Sequence, residues 1–368
     1  MDRRRGMVWF AVAFSALAGL TGTVSAQDAT APAAAVGFAV AQDSPDPVPA
    51  PAGDETLAGC TQACPPIYGQ LELLYMQRLP QMHGQPIMVD ANTNQQFLST
   101  SDLEFKYEPG VRATVGTAIN DCVPIEFTYL GLMSSTGASA NYTRNGAQFP
   151  IFPNNYDGNV FVNPDHVGVT YSTWVNSIEV NLPRGCGCCE NCAAAGCYRT
   201  VQWFAGFRYL NLGDKLDILA QRNEVGGLEE GSYGVRTSNN LFGGQIGAKI
   251  RRSTECFGWE ATGKAGVFYN DARESQWVTD FPNYALRPYV SDSQGRAAFV
   301  GELNFSAIYH LSCSTDLRLG YNVLWIDGVA LGPNQLDYRF ATAPSGNQVN
   351  ASGGMLMHGV NLGAETRW

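Results

Sequence analysis

The chain has 368 residues and a formal net charge of −10, with 15% charged residues, 11% aromatics and 40 glycines. The acidity argues against nucleic acid as a partner, and the charged fraction falls well below the quarter or so usual for soluble domains. After the first 20 residues no stretch of 18 is apolar throughout, so no transmembrane helix is expected in the mature protein. The mean hydropathy of −0.13 suits strands in which every second residue is polar.

Met1 to Ala26 has the form of a secretory signal peptide. Arg3, Arg4 and Arg5 make its basic start, Met7–Leu20 its apolar run, and Val24-Ser25-Ala26 a small-residue cleavage site. Cleavage would remove three arginines and Asp2, leaving the mature chain more acidic still. Residues 27–65 form a linker rich in Pro and Ala, as in Ser44-Pro-Asp-Pro-Val-Pro-Ala-Pro. Such a composition buries too little apolar surface to offset its ordering entropy, so a disordered periplasmic tether is expected.

Residues 66–368 read differently. Apolar and polar residues alternate through Tyr68–Arg78, Glu104–Ala118, Val123–Met133, Val169–Leu182, Arg199–Leu212, Thr237–Ile250, Phe257–Asn270, Arg296–Leu311, Thr315–Asp327 and a terminal run from Leu356 to Trp368. Period two is the signature of a strand with one apolar face. About ten residues per segment is what a transmembrane β-strand needs. The connections alternate as well. Ile119–Cys122, Arg251–Cys256 and Ser312–Ser314 are short, and Pro183–Tyr198 is intermediate. Leu79–Leu103, Ser134–Gly168, Gly213–Arg236, Asp271–Gly295 and Gly328–Met355 are long. Short periplasmic turns and long external loops are the habit of outer-membrane barrels. The reading is all-β: a transmembrane antiparallel up-and-down β-barrel of about ten strands, or twelve if Asp214–Ala220 or part of Gly328–Met355 hides a hairpin. It places the protein in the bacterial outer membrane, among its lipid, with the N- and C-termini periplasmic.

Several stretches carry a family likeness: Gly69-Gln-Leu-Glu-Leu-Leu-Tyr, Gly206-Phe-Arg-Tyr-Leu-Asn-Leu, Thr237-Ser-Asn-Asn-Leu-Phe-Gly-Gly-Gln-Ile-Gly, Lys264-Ala-Gly, Gly320-Tyr-Asn-Val-Leu-Trp and His358-Gly-Val-Asn-Leu-Gly. Together, over about Pro66 to Trp368, they resemble the planctomycete outer-membrane β-barrel porin family. The resemblance implies an outer-membrane location and a porin-like label, and it supplies no catalytic residues. The terminal strand ending at Trp368 also resembles the signal read by the barrel-assembly machinery, which is then an expected partner.

Ten cysteines are present: Cys60, Cys64, Cys122, Cys186, Cys188, Cys189, Cys192, Cys197, Cys256 and Cys313. In the ten-strand topology all fall in the N-terminal segment or in periplasmic turns. An even count in an exported chain suggests disulfides stapling that rim, with Cys256–Cys313 a plausible pair. The competing readings are a metal half-site at Cys189-x-x-Cys192 and free thiols.

On the polar faces stand Glu72, Arg112, Glu126, Glu179, Arg208, Glu260, Lys264, Glu302, Arg318 and Glu365. Two readings stay open for these lumen charges. They could pair and fill a narrow interior, or line a thin pore of weak cation preference, since acids outnumber bases. No catalytic constellation emerges. Of the four histidines, His83 and His166 lie on long loops, His166 beside Asp165, and His310 and His358 at strand positions. No enzyme, cofactor or metal is therefore expected. The functional expectation is a porin-like barrel passing small solutes, with a non-conducting structural or surface-interaction barrel as the alternative.

Overall fold

The computed structural model describes residues 67–79, 84–90, 93, 95–120, 123–141, 147–148, 160–161, 164–184, 198–224, 226–254, 256–280, 284–337 and 348–368. All belong to the compact unit Cys60–Trp368. The expected signal and linker lie outside the described residues.

The strands are β1 (Ile67–Arg78), β2 (Pro86–Asp90), β3 (Gln96–Ser99), β4 (Glu108–Asn120), β5 (Val123–Asn141), β6 (Ala147–Gln148), β7 (His166–Arg184), β8 (Tyr198–Glu224), β9 (Gly227–Ser253), β10 (Phe257–Asp280), β11 (Tyr284–His310), β12 (Thr315–Val329) and β13 (Gly353–Arg367). Ten of them close into one antiparallel barrel in the order β1-β13-β12-β11-β10-β9-β8-β7-β5-β4. β1 seals the ring: Tyr75 is opposite Val360 of β13 on one side and Pro109 of β4 on the other. Where all ten strands overlap, closure leaves no unpaired edge, the condition for a sheet to cross a bilayer; beyond it, among the described residues, Tyr284–Ala298 of β11 and Met133–Asn141 of β5 pair on one side only. The count of ten agrees with the sequence reading.

Alternation decides which way each side chain points. Leu71, Leu73 and Tyr75 are exposed on the outside of β1, while Glu72, Leu74 and Met76 are buried inside. The same division holds on β9 and β10, where Ile246 and Val267 are 69% and 68% exposed. A continuous apolar exterior of this kind would be a liability in water and is the expected face toward lipid.

The strands are unequal. β1, β12 and β13 have 12 to 15 residues, whereas β8, β9 and β11 have 27. At about 3.3 Å per residue, 27 residues extend roughly 90 Å, far more than a tilted strand needs for a hydrocarbon core of about 30 Å. This corrects the sequence reading at Gly213–Arg236 and Asp271–Gly295, which were expected to be long loops. β8 instead runs on to Glu224 and pairs with β9 through Glu224↔Gly227. β10 runs to Asp280 and pairs with Tyr284 of β11. The segment Asp214–Ala220 hides no extra hairpin; it is the upper part of β8. The physical reason is an inversion of polarity. In the membrane band apolar residues face out. Above it Leu216, Ile218, Tyr233 and Val235 face in and are buried, while Lys215 is among the outward residues. Where water replaces lipid outside, the barrel becomes an ordinary apolar-in sheet.

That upper core is shared with a small sheet, β3-β2-β6. Ile87 and Met88 of β2, Leu98 of β3, and Leu103 and Phe105 pack with Val167, Val169, Leu216, Ile218, Tyr233, Val235 and Val278 of the tall walls. A second inward element follows β12. Gly328 has φ +79°, and a Cβ there would stand 2.6 Å from the Ala297 carbonyl oxygen. Only glycine takes this conformation without strain. Val329, Ala330, Leu331, Gly332 and Pro333 then lie buried, the last two within a short 3-10 turn, Gly332–Gln335. We call this segment the strap.

Candidate functional site: the filled barrel interior

The inward residues form layers. Nearest the rim where β1 begins and β13 ends lies a belt of charge to which every barrel strand contributes. Arg112 of β4 donates to Glu72 of β1 at 3.1 Å, to Asn322 at 2.8 Å and to Glu302 of β11 at 2.8 Å. Arg208 of β8 donates to Ser177 at 2.8 Å and Glu302 at 3.0 Å, and lies 3.4 Å from Glu179 of β7. Lys264 of β10 bridges Glu179 and Glu302, at 3.0 and 3.5 Å. Arg318 of β12 holds Glu260 at 2.6 Å and Glu365 of β13 at 2.7 Å. Lys249 of β9 reaches Glu126 of β5 at 3.0 Å, and Glu126 also accepts from the Tyr68 hydroxyl. Arg251 and Arg367 share Glu365 and Asp316, and Asp316 meets His310 Nδ1 at 2.6 Å.

All ten charges singled out in the sequence therefore lie in this one belt. Four more stand with them: Lys249, Arg251, Asp316 and Arg367. The signal was there for Lys249 and Arg251, which continue the inward parity of Gln245 and Gly247 down β9. Counting them removes the acidic excess: among the described residues seven carboxylates face seven cations. Burial favours this neutrality, because an unpaired charge in a low-dielectric interior is costly.

Next to the belt the interior turns apolar. Leu74, Leu130, Leu210, Leu241, Phe268, Leu324, Ile326 and Met357, from seven strands, form one buried cluster with Val329 and Leu331 of the strap. None of the eight is more than 2% exposed.

Beyond this layer a second polar group gathers on Asp214, which is 0% exposed. Arg78 stands 3.2 Å from its Oδ1, and Thr173 donates to the same oxygen at 2.6 Å. The Tyr171 hydroxyl and the Gly332 backbone N–H both donate to Oδ2. The Arg78 guanidinium also lies over the Tyr171 and Phe105 rings, at 4.7 and 5.0 Å. Asn239 grips the strap from another wall: its Nδ2 donates to the Ala330 carbonyl at 2.8 Å, and its Oδ1 accepts from Ala330 N–H at 2.7 Å. Sequence reasoning missed the Asp214 group because Arg78 stood at a strand end and Asp214 in an expected loop.

The cysteines require a correction. Cys256 is a free, exposed thiol, so the expected Cys256–Cys313 bridge is not formed. The two flanking strands do pair, with His310 N–H donating to the Cys256 carbonyl at 3.0 Å, but the turns offer the sulfurs no bond to each other. Cys60, Cys64, Cys122, Cys186, Cys188, Cys189, Cys192 and Cys197 lie outside the described residues. Cys256 is expected to react with a polar maleimide in the folded protein without reductant, and Cys256→Ser to abolish that labelled peptide in a mass map. An undiminished label in the variant would contradict the free thiol. Trp368 is exposed at the rim, and its N–H donates to the Ile67 carbonyl at 3.0 Å. The histidines do not converge. His310 serves the belt, and His358 faces outward against the Tyr321 hydroxyl at 2.6 Å. His166 opens β7, and His83 is outside the described residues.

A closed ten-stranded barrel with a lipid-type exterior and side chains packed through its interior defines a bacterial outer-membrane β-barrel. The sequence profile of the beta barrel porin-7 (BBP7) family matches residues 85–275, over half of the chain, and the protein belongs to that family. No curated protein matches it. Among solved structures, the outer membrane protease OmpT of Escherichia coli is similar with a TM-score of 0.47 and 9% identity, over 82% of this chain and 96% of that one. The transport unit of the autotransporter AIDA-I of E. coli follows at 0.23 and 8%, over 84% and 92%. An anion-selective porin from Comamonas acidovorans gives 0.15 and 9%, over 82% and 98%.

Proposed function

We propose that this protein is a closed outer-membrane barrel whose work is done by its exposed surfaces rather than by solute flow through an open lumen. The observation that carries this reading is the buried apolar layer of Leu74, Leu130, Leu210, Leu241, Phe268 and Leu324, sealed by Leu331 of the strap. Hydrated solutes cross wide, polar lumens, and a dry layer of packed side chains opposes them. Diffusion of small solutes, the activity that the word porin suggests, would require the strap and this layer to move aside.

In this reading both chain ends lie in the periplasm and the tall β8–β9 and β10–β11 hairpins project outward. The precursor is cleaved after Ala26, residues 27–65 tether the barrel, and the assembly machinery recognises the terminal strand at Trp368. Disulfides among the rim cysteines stiffen the periplasmic end. In support, Cys313 is disulfide-bonded while Cys256 is not. No nucleophile–base pair converges in the interior among the described residues, and the reading gives the protein no catalytic role.

Planar-bilayer recording of the refolded mature chain tests this. A folded barrel, recognised by different migration of cold and boiled samples on a gel, is expected to leave the bilayer silent. Discrete, sustained current steps would overturn the closed-barrel reading and restore diffusion.

A further inference from the structure

A groove of about 570 Å³ lies on the outer surface where β9, β10 and β11 leave the lipid band. Its walls include Trp174, Arg236, Ser238, Arg273, Ser275 and Tyr289. We propose that it seats the phosphate of an anionic lipid from the leaflet at the hairpin end, held by Arg236 and Arg273. The proposal rests on the membrane reading above.

Register places the two arginines together. Arg273 pairs with Ser238 and Ser275 with Arg236, so the guanidinium-bearing residues are diagonal neighbours on one face, roughly 7–8 Å apart at Cα. The serines opposite them are small and leave the hollow between. Two such forks can take a phosphate with paired N–H···O bonds, which a single lysine cannot do.

The level is right for a headgroup. Tyr269 ends the exposed apolar series on β10, and Arg273 follows four residues on, about 13 Å along the strand and roughly 10 Å along the membrane normal for a strand tilted near 40°. That carries it from the hydrocarbon edge into the polar interfacial zone. Two aromatic rings, Trp174 and Tyr289, stand among the otherwise polar lining, which suits the part of a lipid between phosphate and chains. Trp174 lies flat across Gly213, where a Cβ would meet its ring at 2.1 Å, and Trp277 lies likewise across Gly234. The Arg236 guanidinium stacks 5.1 Å from the Trp277 ring, and Trp277 stacks on Tyr289. Lys215 of β8 is opposite Arg236 and adds a third cation.

The acids nearby leave room for an anion. Asp271 takes Arg273 at 2.8 Å, but Arg273 is 65% exposed, and a pair of that kind is readily exchanged. Asp217 holds Lys215 at 2.7 Å on the same exposed surface. Glu274 and Asp292 also line the groove, but Glu274 is buried with the inward residues of β10 and Asp292 accepts the Val349 N–H.

The test is native mass spectrometry of the full mature chain in neutral micelles, titrated with phosphatidic acid and with diacylglycerol of the same chains. At least tenfold preference for phosphatidic acid is expected. Arg236→Ala with Arg273→Ala should remove most of it, and Arg252→Ala, an equal charge change at the opposite end of β9, should not. Preference unchanged in the double variant, or lost equally in Arg252→Ala, would overturn the site. Displacement by millimolar inorganic phosphate would assign the site to the free anion and overturn the lipid. A chain that migrates identically cold and boiled would sink the membrane barrel itself, an outcome distinct from an intact barrel without lipid preference.

Discussion

Replacing Asp214 by Ala is expected to lower stability by about 3–5 kcal/mol, the range for removing one partner of a buried ion pair. Arg78 and Asp214 are 1% and 0% exposed and stand 3.2 Å apart. The variant also strips the acceptor from Thr173, Tyr171 and the Gly332 N–H. Three barrel walls and the strap meet at that one carboxylate, so the loss should be felt mainly at the hairpin end. Two readouts separate this from general weakening. The urea midpoint in micelles should fall, and limited proteolysis should open new cuts between 328 and 337 while β1 and β13 stay protected. Asp214→Asn retains an acceptor and should cost less than Asp214→Ala. A midpoint unchanged within error, with an unaltered cleavage map, would remove Asp214 from its role in holding the strap. The same variant recorded in a bilayer addresses the seal directly: brief openings absent from the parent chain are expected once the strap is released.

Arg318→Met should be as damaging, at about 3–5 kcal/mol, for a related reason. Arg318 is 1% exposed and holds Glu260 and Glu365 from the centre of the belt. Removing it leaves seven carboxylates facing six cations in a space water does not screen. The informative variant is the double one. Arg318→Met with Glu260→Gln restores the balance, and its cost should be well below the sum of the two single changes. Buried pairs often contribute little net stability yet are costly to break halfway. Strict additivity of the two changes, measured by urea midpoints in the same micelles, would show that the belt is not coupled. Because the belt is buried, the penalty of Arg318→Met should change little between low and high salt, unlike that of an exposed pair such as Arg273–Asp271.

Period-two alternation made the membrane band legible in the sequence. Leu71, Glu72 and Leu73 announce their faces because a strand turns each successive side chain to the opposite side and lipid demands an apolar exterior. The number of barrel strands followed from the same rule, as did the inward set from Glu72 to Glu365. The rule failed where the solvent changed. Beyond Leu212 the alternation continues with reversed polarity, so Leu216 and Ile218 do not look like lipid-facing residues and the strand was read as a loop.

Local sequence determined which residues look inward; it did not determine whom they meet. Arg78 and Asp214 are 136 positions apart, and Arg112 and Asn322 are 210. Their meeting depends on closure of the ring through β1 and on the stagger of the strands, which no local pattern carries. The same holds for the open or filled state of the lumen. Ten alternating strands are compatible with either. The turn at Gly328 and the depth to which Leu331 enters are set by packing among Leu74, Leu241 and Leu324, side chains gathered from opposite sides of the ring. Chain-local chemistry thus specified a membrane barrel with charge inside it, and only the closed tertiary structure, by bringing distant residues within hydrogen-bond and van der Waals range, decided which charges pair and which apolar side chains pack together.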